Sequence, residues 1–303
     1  MADVRKQTLG SPTPKTDILS RIKPIGFDDD EGIKALIYGQ SGSGKTTLWS
    51  SFPKPILALV ISGGDKPGEL RSIDTVENRK VISSVNVRHT DEIMDLIGYA
   101  ASSGKYKTLV MDHVSGFQDR VLSQILGKPV PEQKSWGTAS QQQYGQCTQQ
   151  CKELLRELLS LSLNVVLVGQ EKVFGGGSDD ATEAIAPTVG AALMPQLGGW
   201  VNCAVDYIVH TFKRAKTERR KVTVGNQSMD QVIKLDEVEF CLRTGPHETF
   251  VTKFRVPKGT KLPNVMADPT YDKILALIKG AGNTTSPKPT ISSVKPGMKP
   301  GGK

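Results

Sequence analysis

The sequence lacks the features of membrane-spanning and disulfide-stabilised proteins. No apolar run approaches the roughly 18 residues needed to cross a bilayer, and the polar start from Met1 to Lys6 does not resemble a signal peptide. The only cysteines are four scattered residues, too few for a disulfide framework: Cys147, Cys151, Cys203 and Cys241. We therefore expect a cytoplasmic protein with reduced thiols and no membrane partner.

Acidic residues are scarce in two segments that account for the formal net charge of +8. Residues 213–221 carry a net charge of +5, residues 281–303 carry +4, and the remainder of the chain carries −1. Such local excess suits a polyanionic partner, the alternative being a solvated hairpin and a soluble tail. The cations of the first segment are Lys213, Arg214, Lys216, Arg219, Arg220 and Lys221.

Strand and helix patterns alternate over the first two thirds of the chain. Hydrophobic residues make up 37% of the sequence, enough for a globular core. The patterns predict strands at 33–38, 55–62, 107–112 and 164–169, and helices from about 44, from an N-cap at Thr90 to about 101, and at 144–161. This alternation predicts an α/β fold with a mostly parallel sheet flanked by helices.

Beyond residue 205 the pattern changes to strands without long helices. We predict strands at 207–213, 221–224, 238–243 and 250–256, the last two joined through a turn at Gly245 and Pro246, and a helix at 271–279 that closes at Gly280. The domain organisation that follows is an N-terminal arm at 1–32, a folded domain at 33–280 and a disordered basic tail at 281–303.

A glycine-rich string between the first strand and the first helix fits the phosphate-loop pattern G-x-x-x-x-G-K-[ST]. Glycines allow successive N–H groups to point at phosphates. Lys45 is expected to neutralise the β- and γ-phosphates of ATP, and the Thr46 hydroxyl to bind Mg²⁺. The ATP-binding residues are Gly39, Gln40, Ser41, Gly42, Ser43, Gly44, Lys45, Thr46 and Thr47.

Two further polar residues end predicted strands. Asp112 is placed to bind Mg²⁺ together with Thr46, and Gln170 to sense the γ-phosphate or to orient the attacking water. The carboxyl ends of parallel strands meet at one edge of a sheet, so we expect Gly39, Asp112 and Gln170 to lie together.

In this order, the segments 39–47, 108–112 and 164–172 resemble the core of RecA-type ATPases. They resemble more closely the short phage-encoded members of that group, described as AAA-family ATPases or RecA-like single-strand annealing proteins. The resemblance covers about residues 33–280 and implies a RecA-like P-loop core, a homo-oligomeric ring or filament, and ATP between subunits. It also implies that Lys253 and Arg255 resemble a K-x-R finger reaching a neighbour's ATP.

Two segments depart from the family pattern. The loop after Gln170 is a mobile DNA-binding loop in the family, but here residues 171–194 include Asp179, Asp180 and Glu183, which repel phosphate. For the single-stranded DNA that the resemblance implies, the better candidate contacts are the basic residues Lys213, Arg214, Lys216, Arg219, Arg220 and Lys221. The catalytic glutamate expected after the second strand has two candidates, Asp65 and Glu69, of which we take Glu69.

The function that these observations predict is Mg²⁺-dependent ATP hydrolysis coupled to DNA binding in phage recombination, annealing or replication, in the host cytoplasm. A single-strand-binding or replication protein is a further expected partner. One alternative is a non-catalytic, nucleotide-gated module that recruits replication proteins. The other is a small-molecule kinase, although an acceptor pocket and an arginine-rich lid are not evident in the sequence.

Overall fold

The computed structural model of the chain describes residues 32–61, 70–127, 139–175, 187–224 and 227–280, with side chains described throughout except at 218–224 and 227–234. Nearly all of the predicted N-terminal arm and the whole predicted tail lie outside these residues. In the described part, no helix is long and apolar enough to cross a membrane.

Nine strands and seven α-helices build the described chain. The strands are β1 Lys34–Gly39, β2 Ile56–Val60, β3 Ile82–Asn86, β4 Thr108–Asp112, β5 Asn164–Phe174, β6 Thr188–Ala191, β7 Tyr207–Val224, β8 Gln227–Arg243 and β9 Val265–Ala267. The helices are α1 Lys45–Ser50, α2 Asn78–Val81, α3 Asp91–Ser103, α4 Val114–Leu126, α5 Gln141–Ser160, α6 Pro195–Ala204 and α7 Tyr271–Ile278, with a 3-10 turn at Arg71–Ile73.

The nine strands form one sheet in the order β3-β2-β4-β5-β1-β7-β8-β9, with β6 paired to the extension of β5. The pairs among β3, β2, β4, β5, β1 and β7 are parallel, whereas β7–β8 and β8–β9 are antiparallel. This confirms the predicted α/β class and the antiparallel strands toward the C-terminus. It also places β5 directly between the strand before the phosphate loop and the strand that ends in Asp112.

Both faces of the sheet are covered, so the central strands are buried along their length. One face packs Leu36, Leu109 and Leu167 against helices α3 to α6, with the thiols of Cys147 and Cys151 buried there. The other face packs alternate residues such as Ile37 and Val168 against α1 and α7. This two-sided burial explains why these strands read as continuous apolar runs.

The C-terminal strands differ from the prediction. Residues 207–224 form one 18-residue strand instead of two, and its hairpin partner is β8. The predicted hairpin through Gly245 and Pro246 is wrong, because residues 250–256 make only two isolated bridges, Val189–Phe250 and Ile208–Lys253. Since β1 pairs with β7 only as far as Thr211, the rest of β7 and most of β8 form a two-stranded ribbon beyond β1.

Three smaller differences concern ends and caps. Strand β5 continues past Gly169 to Phe174 and pairs with β6, so both ends of the segment 171–194 have regular structure. Thr90 precedes α3 but caps nothing, because its hydroxyl is bonded to the Gln124 side chain. Helix α7 closes as predicted, with Gly280 in the left-handed conformation.

Candidate functional site

The phosphate loop leaves the C-terminal end of β1 and leads into α1. Gly42 and Gly44 have φ angles of 71° and 92°, a conformation that favours glycine. Lys45 Nζ donates to the carbonyl oxygens of Gly39 at 2.8 Å and Gln40 at 2.7 Å. Burial lowers the pKa of this ammonium. The loop therefore curls around its own lysine, as a phosphate-binding loop requires.

Asp112 ends β4 and reaches toward the same loop. Its Oδ2 accepts a hydrogen bond from Trp49 Nε1 of α1 at 3.1 Å. Burial raises the pKa of the carboxyl group, while the Trp49 bond and the nearby charges of His113 and Lys45 oppose that rise. Within the described residues Asp112 Oδ1 accepts no hydrogen bond, so one oxygen of this partly buried carboxylate remains available for a cation.

The residues around Asp112 fit a magnesium ion. Thr46 lies three residues before Trp49 and so on the same face of α1, the face that contacts Asp112. A hydroxyl and a carboxylate are the hard oxygen donors that Mg²⁺ prefers. Thr46 and Asp112 would hold the ion, which would supply positive charge to the phosphates.

Gln170 lies at the same sheet edge. It pairs with Gly39 in the β1–β5 register and lies two residues beyond Val168, the partner of Asp112. Its side chain is exposed, and its backbone oxygen accepts from Ala192 N at 2.7 Å. The topology thus brings Gly39, Asp112 and Gln170 to one edge as expected, although Gln170 lies inside β5 and does not end it.

A wall beside the phosphate loop was missed by sequence reasoning. Thr211 of β7 places its hydroxyl 2.7 Å from Ser43 Oγ, and both groups are buried. Farther along the ribbon, Lys213 and Phe240 lie over the glycines of the loop. The sequence indicates part of this wall, because Val209, Thr211 and Lys213 are alternate residues of β7 and therefore share one face of the strand, on which Val209 is buried.

The other side of β7 carries a buried polar pair. His210 Nε2 lies 2.9 Å from Glu171 Oε2, next to Gln170 in β5. The imidazole stacks on Phe250 with ring centroids 4.3 Å apart and on Phe212 at 5.8 Å. Burial lowers the pKa of His210, against the effect of Glu171. The pair links the strand of Gln170 to the base of the ribbon.

The predicted DNA-binding residues all lie on β7, but the ribbon places acidic residues of β8 beside them. Arg214 pairs with Glu239 at 2.6 Å, and Lys216 pairs with Glu237 at 2.8 Å. The net charge of +5 on residues 213–221 is therefore partly balanced by acidic residues that are distant in the sequence. Of the four other predicted DNA contacts, Lys213 stands in the register opposite Phe240. The remaining three stand opposite Val232, Gln231 and Asp230: Arg219, Arg220 and Lys221.

The two predicted finger residues lie beside the first residues of β7, far from the basic residues of the ribbon. Lys253 Nζ donates to the carbonyl oxygens of Asn202 at 3.0 Å, Cys203 at 3.2 Å and Val205 at 2.5 Å, at the C-terminus of α6. Arg255 binds Asp206 at 2.8 Å and its side chain is 61% exposed. Asp206 N donates to Lys34 O at the start of β1, so both cations are remote from the phosphate loop of their own chain.

Several predicted residues remain to be placed. Glu69 and Asp65 lie outside the described residues, as do Asp179, Asp180 and Glu183. His113, the residue after Asp112, supports the next helix: its Nδ1 accepts from Gly116 N at 2.9 Å and so caps α4. Burial lowers the pKa of this histidine.

Comparison with known proteins gives one family. A family model described as an AAA domain matches residues 31–256, about three quarters of the chain. This range includes the phosphate loop, Asp112, Gln170 and the whole ribbon. No curated protein matches the sequence.

Proposed function

The chain belongs to the AAA domain family of nucleotide-binding ATPases, and on that premise we propose that it hydrolyses ATP with Mg²⁺ and couples hydrolysis to single-stranded DNA. We further propose that it acts as a homo-oligomer in DNA recombination, annealing or replication, the processes in which the phage proteins that it resembles take part. A single-strand-binding or replication protein is the partner expected in these processes.

One observation supports the catalytic proposal above the others. Lys45, Asp112 and Gln170 come from three separate segments, and the strand register brings them to a single edge of the sheet. They supply, in turn, a cation for the phosphates, an oxygen ligand for Mg²⁺ and a neutral amide that can orient water. Burial raises the pKa of Asp112, and perturbed carboxyl groups of this kind are common at functional sites.

The ribbon supports the DNA proposal. A two-stranded antiparallel ribbon extends beyond the sheet at the edge where the phosphate loop lies. Since Arg214 and Lys216 are paired with glutamates, the proposed contacts that remain are Lys213 at the base of the ribbon and, farther along it, Arg219, Arg220 and Lys221. Phosphate contacts of this kind produce affinity that falls steeply with salt.

The finger positions support assembly. Lys253 and Arg255 lie beside the first residues of β7 and the start of β1, whereas the phosphate loop of the same chain follows the end of β1, so any finger role requires a neighbouring subunit's ATP. Lys253 is already committed to the carbonyls of α6, which leaves Arg255 as the stronger finger candidate.

The test is steady-state phosphate release with and without single-stranded DNA, together with light scattering with and without ATP. The proposal expects Mg²⁺-dependent turnover, stimulation by DNA, and assembly with ATP. Turnover that ignores DNA, in a protein that stays monomeric with ATP, would contradict it.

A nucleotide-gated recruitment module is the second candidate, and one observation favours it. Two described carboxylates stand at this edge, of which Asp112 is the proposed metal ligand and Glu171 is bound to His210. Neither is free to act as the general base, a role that then rests on Glu69 or Asp65. Tight ATP binding without phosphate release over hours would establish this second function.

A further inference from the structure

Lys213 lies over the phosphate loop of its own chain. It is two residues beyond Thr211 on β7, and alternate residues of a strand share a face. A β-carbon at Gly42 would lie only 3.7 Å from Lys213 Nζ. The ammonium group is therefore directed at the middle of the loop.

The position of Lys213 is held by strands. Its neighbour Thr211 is fixed by buried contacts with Ser43 Oγ at 2.7 Å and with the carbonyl oxygen of Tyr38 at 3.2 Å. Its cross-strand partner Phe240 rests on the other end of the loop, since a β-carbon at Gly44 would lie 3.0 Å from the Phe240 ring. Lys213 and Phe240 thus border the loop together.

Its charge is also available, unlike that of the next two cations of the ribbon. Arg214 and Lys216 are each bound to a glutamate of β8. Lys213 faces Phe240 in the register and makes no ion pair within the described residues. An unpaired lysine held at a glycine loop is placed to bind an anion lying on that loop.

We propose that Lys213 binds the phosphates of the nucleotide in the same subunit, as a second lysine beside Lys45. This proposal rests on the nucleotide-binding function proposed above. It removes Lys213 from the DNA-binding set and makes the base of the ribbon a wall of the nucleotide site, so that phosphate binding acts directly on the element that carries the proposed DNA contacts.

The test compares Lys213→Ala with Lys216→Ala, which removes the same charge three residues farther along the strand. Affinity for Mg²⁺-ATP is measured by calorimetry, and affinity for single-stranded DNA is measured by fluorescence anisotropy without nucleotide. A lost charge-assisted contact predicts ATP binding weaker by about 10- to 100-fold for Lys213→Ala. The ATP affinity of Lys216→Ala is expected to stay within about threefold of that of the unsubstituted protein. Lys213→Arg is expected to recover most of the loss.

Three results would overturn the proposal. Equal ATP affinity in Lys213→Ala and Lys216→Ala would show that the lysine does not contact the nucleotide. A loss of DNA affinity with normal ATP affinity would return Lys213 to the DNA-binding set. Failure of the unsubstituted protein to bind ATP would overturn the proposed function, and this result is distinguishable because it does not depend on any variant. Thermal unfolding of each variant checks that the fold is kept.

Discussion

Trp49 Nε1 lies 3.1 Å from Asp112 Oδ2, and this hydrogen bond joins the helix after the phosphate loop to the strand of the proposed metal ligand. The indole is fully buried, so the donor has no water to bond instead. The bond occupies one carboxylate oxygen and leaves the other without a hydrogen bond within the described residues. A tryptophan three residues after the loop threonine is thus part of the site, although no motif names it.

Asp112→Asn is expected to lower ATP turnover and to raise thermal stability. The amide oxygen can still accept from Trp49, but it binds Mg²⁺ poorly, so turnover is expected to fall by at least about 100-fold. Burial disfavours the charged carboxyl group, as its raised pKa shows, and a neutral amide removes that cost. Phosphate release and the melting temperature are the measurements.

Trp49→Phe is the matched control for this prediction. It keeps the apolar bulk and removes only the hydrogen-bond donor. The Mg²⁺ concentration for half-maximal turnover is therefore expected to rise by roughly fivefold, which corresponds to the net free energy of one hydrogen bond. A normal Mg²⁺ requirement in both variants would remove Asp112 from the metal site.

Lys45→Ala is expected to abolish ATP binding. The lysine both supplies charge for the phosphates and holds the carbonyl groups of Gly39 and Gln40. Lys54→Ala is the control, because Lys54 is bound to Asn78 on the surface and lies outside the loop. Calorimetric titration with ATP decides the matter, and normal affinity in Lys45→Ala would refute the assignment of the loop.

The nucleotide edge was predictable from the sequence because each of its residues stands at the end of a continuous apolar run. Once the predicted strands at 33–38, 107–112 and 164–169 are taken as parallel, their carboxyl ends must meet, as the strand register confirms. Helix α4 was also within reach, since Val114, Phe117, Val121 and Leu122 recur at helical spacing and are all buried.

The ribbon was not predictable in the same way. Beyond Thr211 its strands leave the covered sheet, and residues 212–217 and 235–240, the part of the ribbon whose side chains the structure describes, include no buried residue to mark its length. Its charge balance depends on pairing: the positive stretch of β7 meets Glu237 and Glu239 of β8, more than 20 residues away in sequence. Only the register shows which cations are neutralised and that Lys213 meets the phosphate loop.

The stability of the fold is expected to fall as the pH drops below about 6.5. Burial lowers the pKa of His210 in the folded protein, so below the ordinary value near 6.5 the unfolded chain takes up a proton that the folded chain resists. Glu171 opposes the shift, and the cations of Arg243 and His247 add to it. The contribution of His210 to the stability is therefore fully present above pH 6.5, and it is lost as the pH falls toward the lower pKa of the folded state.

His210→Gln tests this pH dependence. The amide can keep a hydrogen bond to Glu171 without titrating, so the slope of unfolding free energy against pH between about 6.5 and 5 is expected to decrease, by at most about 1.4 kcal/mol per pH unit. His113→Asn is expected to reduce the slope separately, because the pKa of His113 is also lowered and asparagine still caps a helix. His89→Gln, at an exposed position, is the control. An unchanged slope in His210→Gln would rule out the pair of His210 and Glu171 as a source of the pH dependence.

Lys253 and Arg255 are expected to separate into a structural residue and a catalytic one. Lys253→Ala leaves three carbonyl groups at the end of α6 without their cation, and a partly buried charge at a helix C-terminus contributes up to about 2 kcal/mol, so the melting temperature should fall by several degrees.

Arg255→Ala removes only an exposed pair with Asp206, so stability and ATP affinity should be kept. If Arg255 reaches the ATP of a neighbouring subunit, its loss should instead remove the cooperative dependence of turnover on ATP concentration, as measured by phosphate release over a range of protein concentrations. Asp206→Ala is the control, since it breaks the same ion pair and leaves the guanidinium group in place. Equal loss of cooperativity in Asp206→Ala and Arg255→Ala would assign the effect to the ion pair and reject the finger.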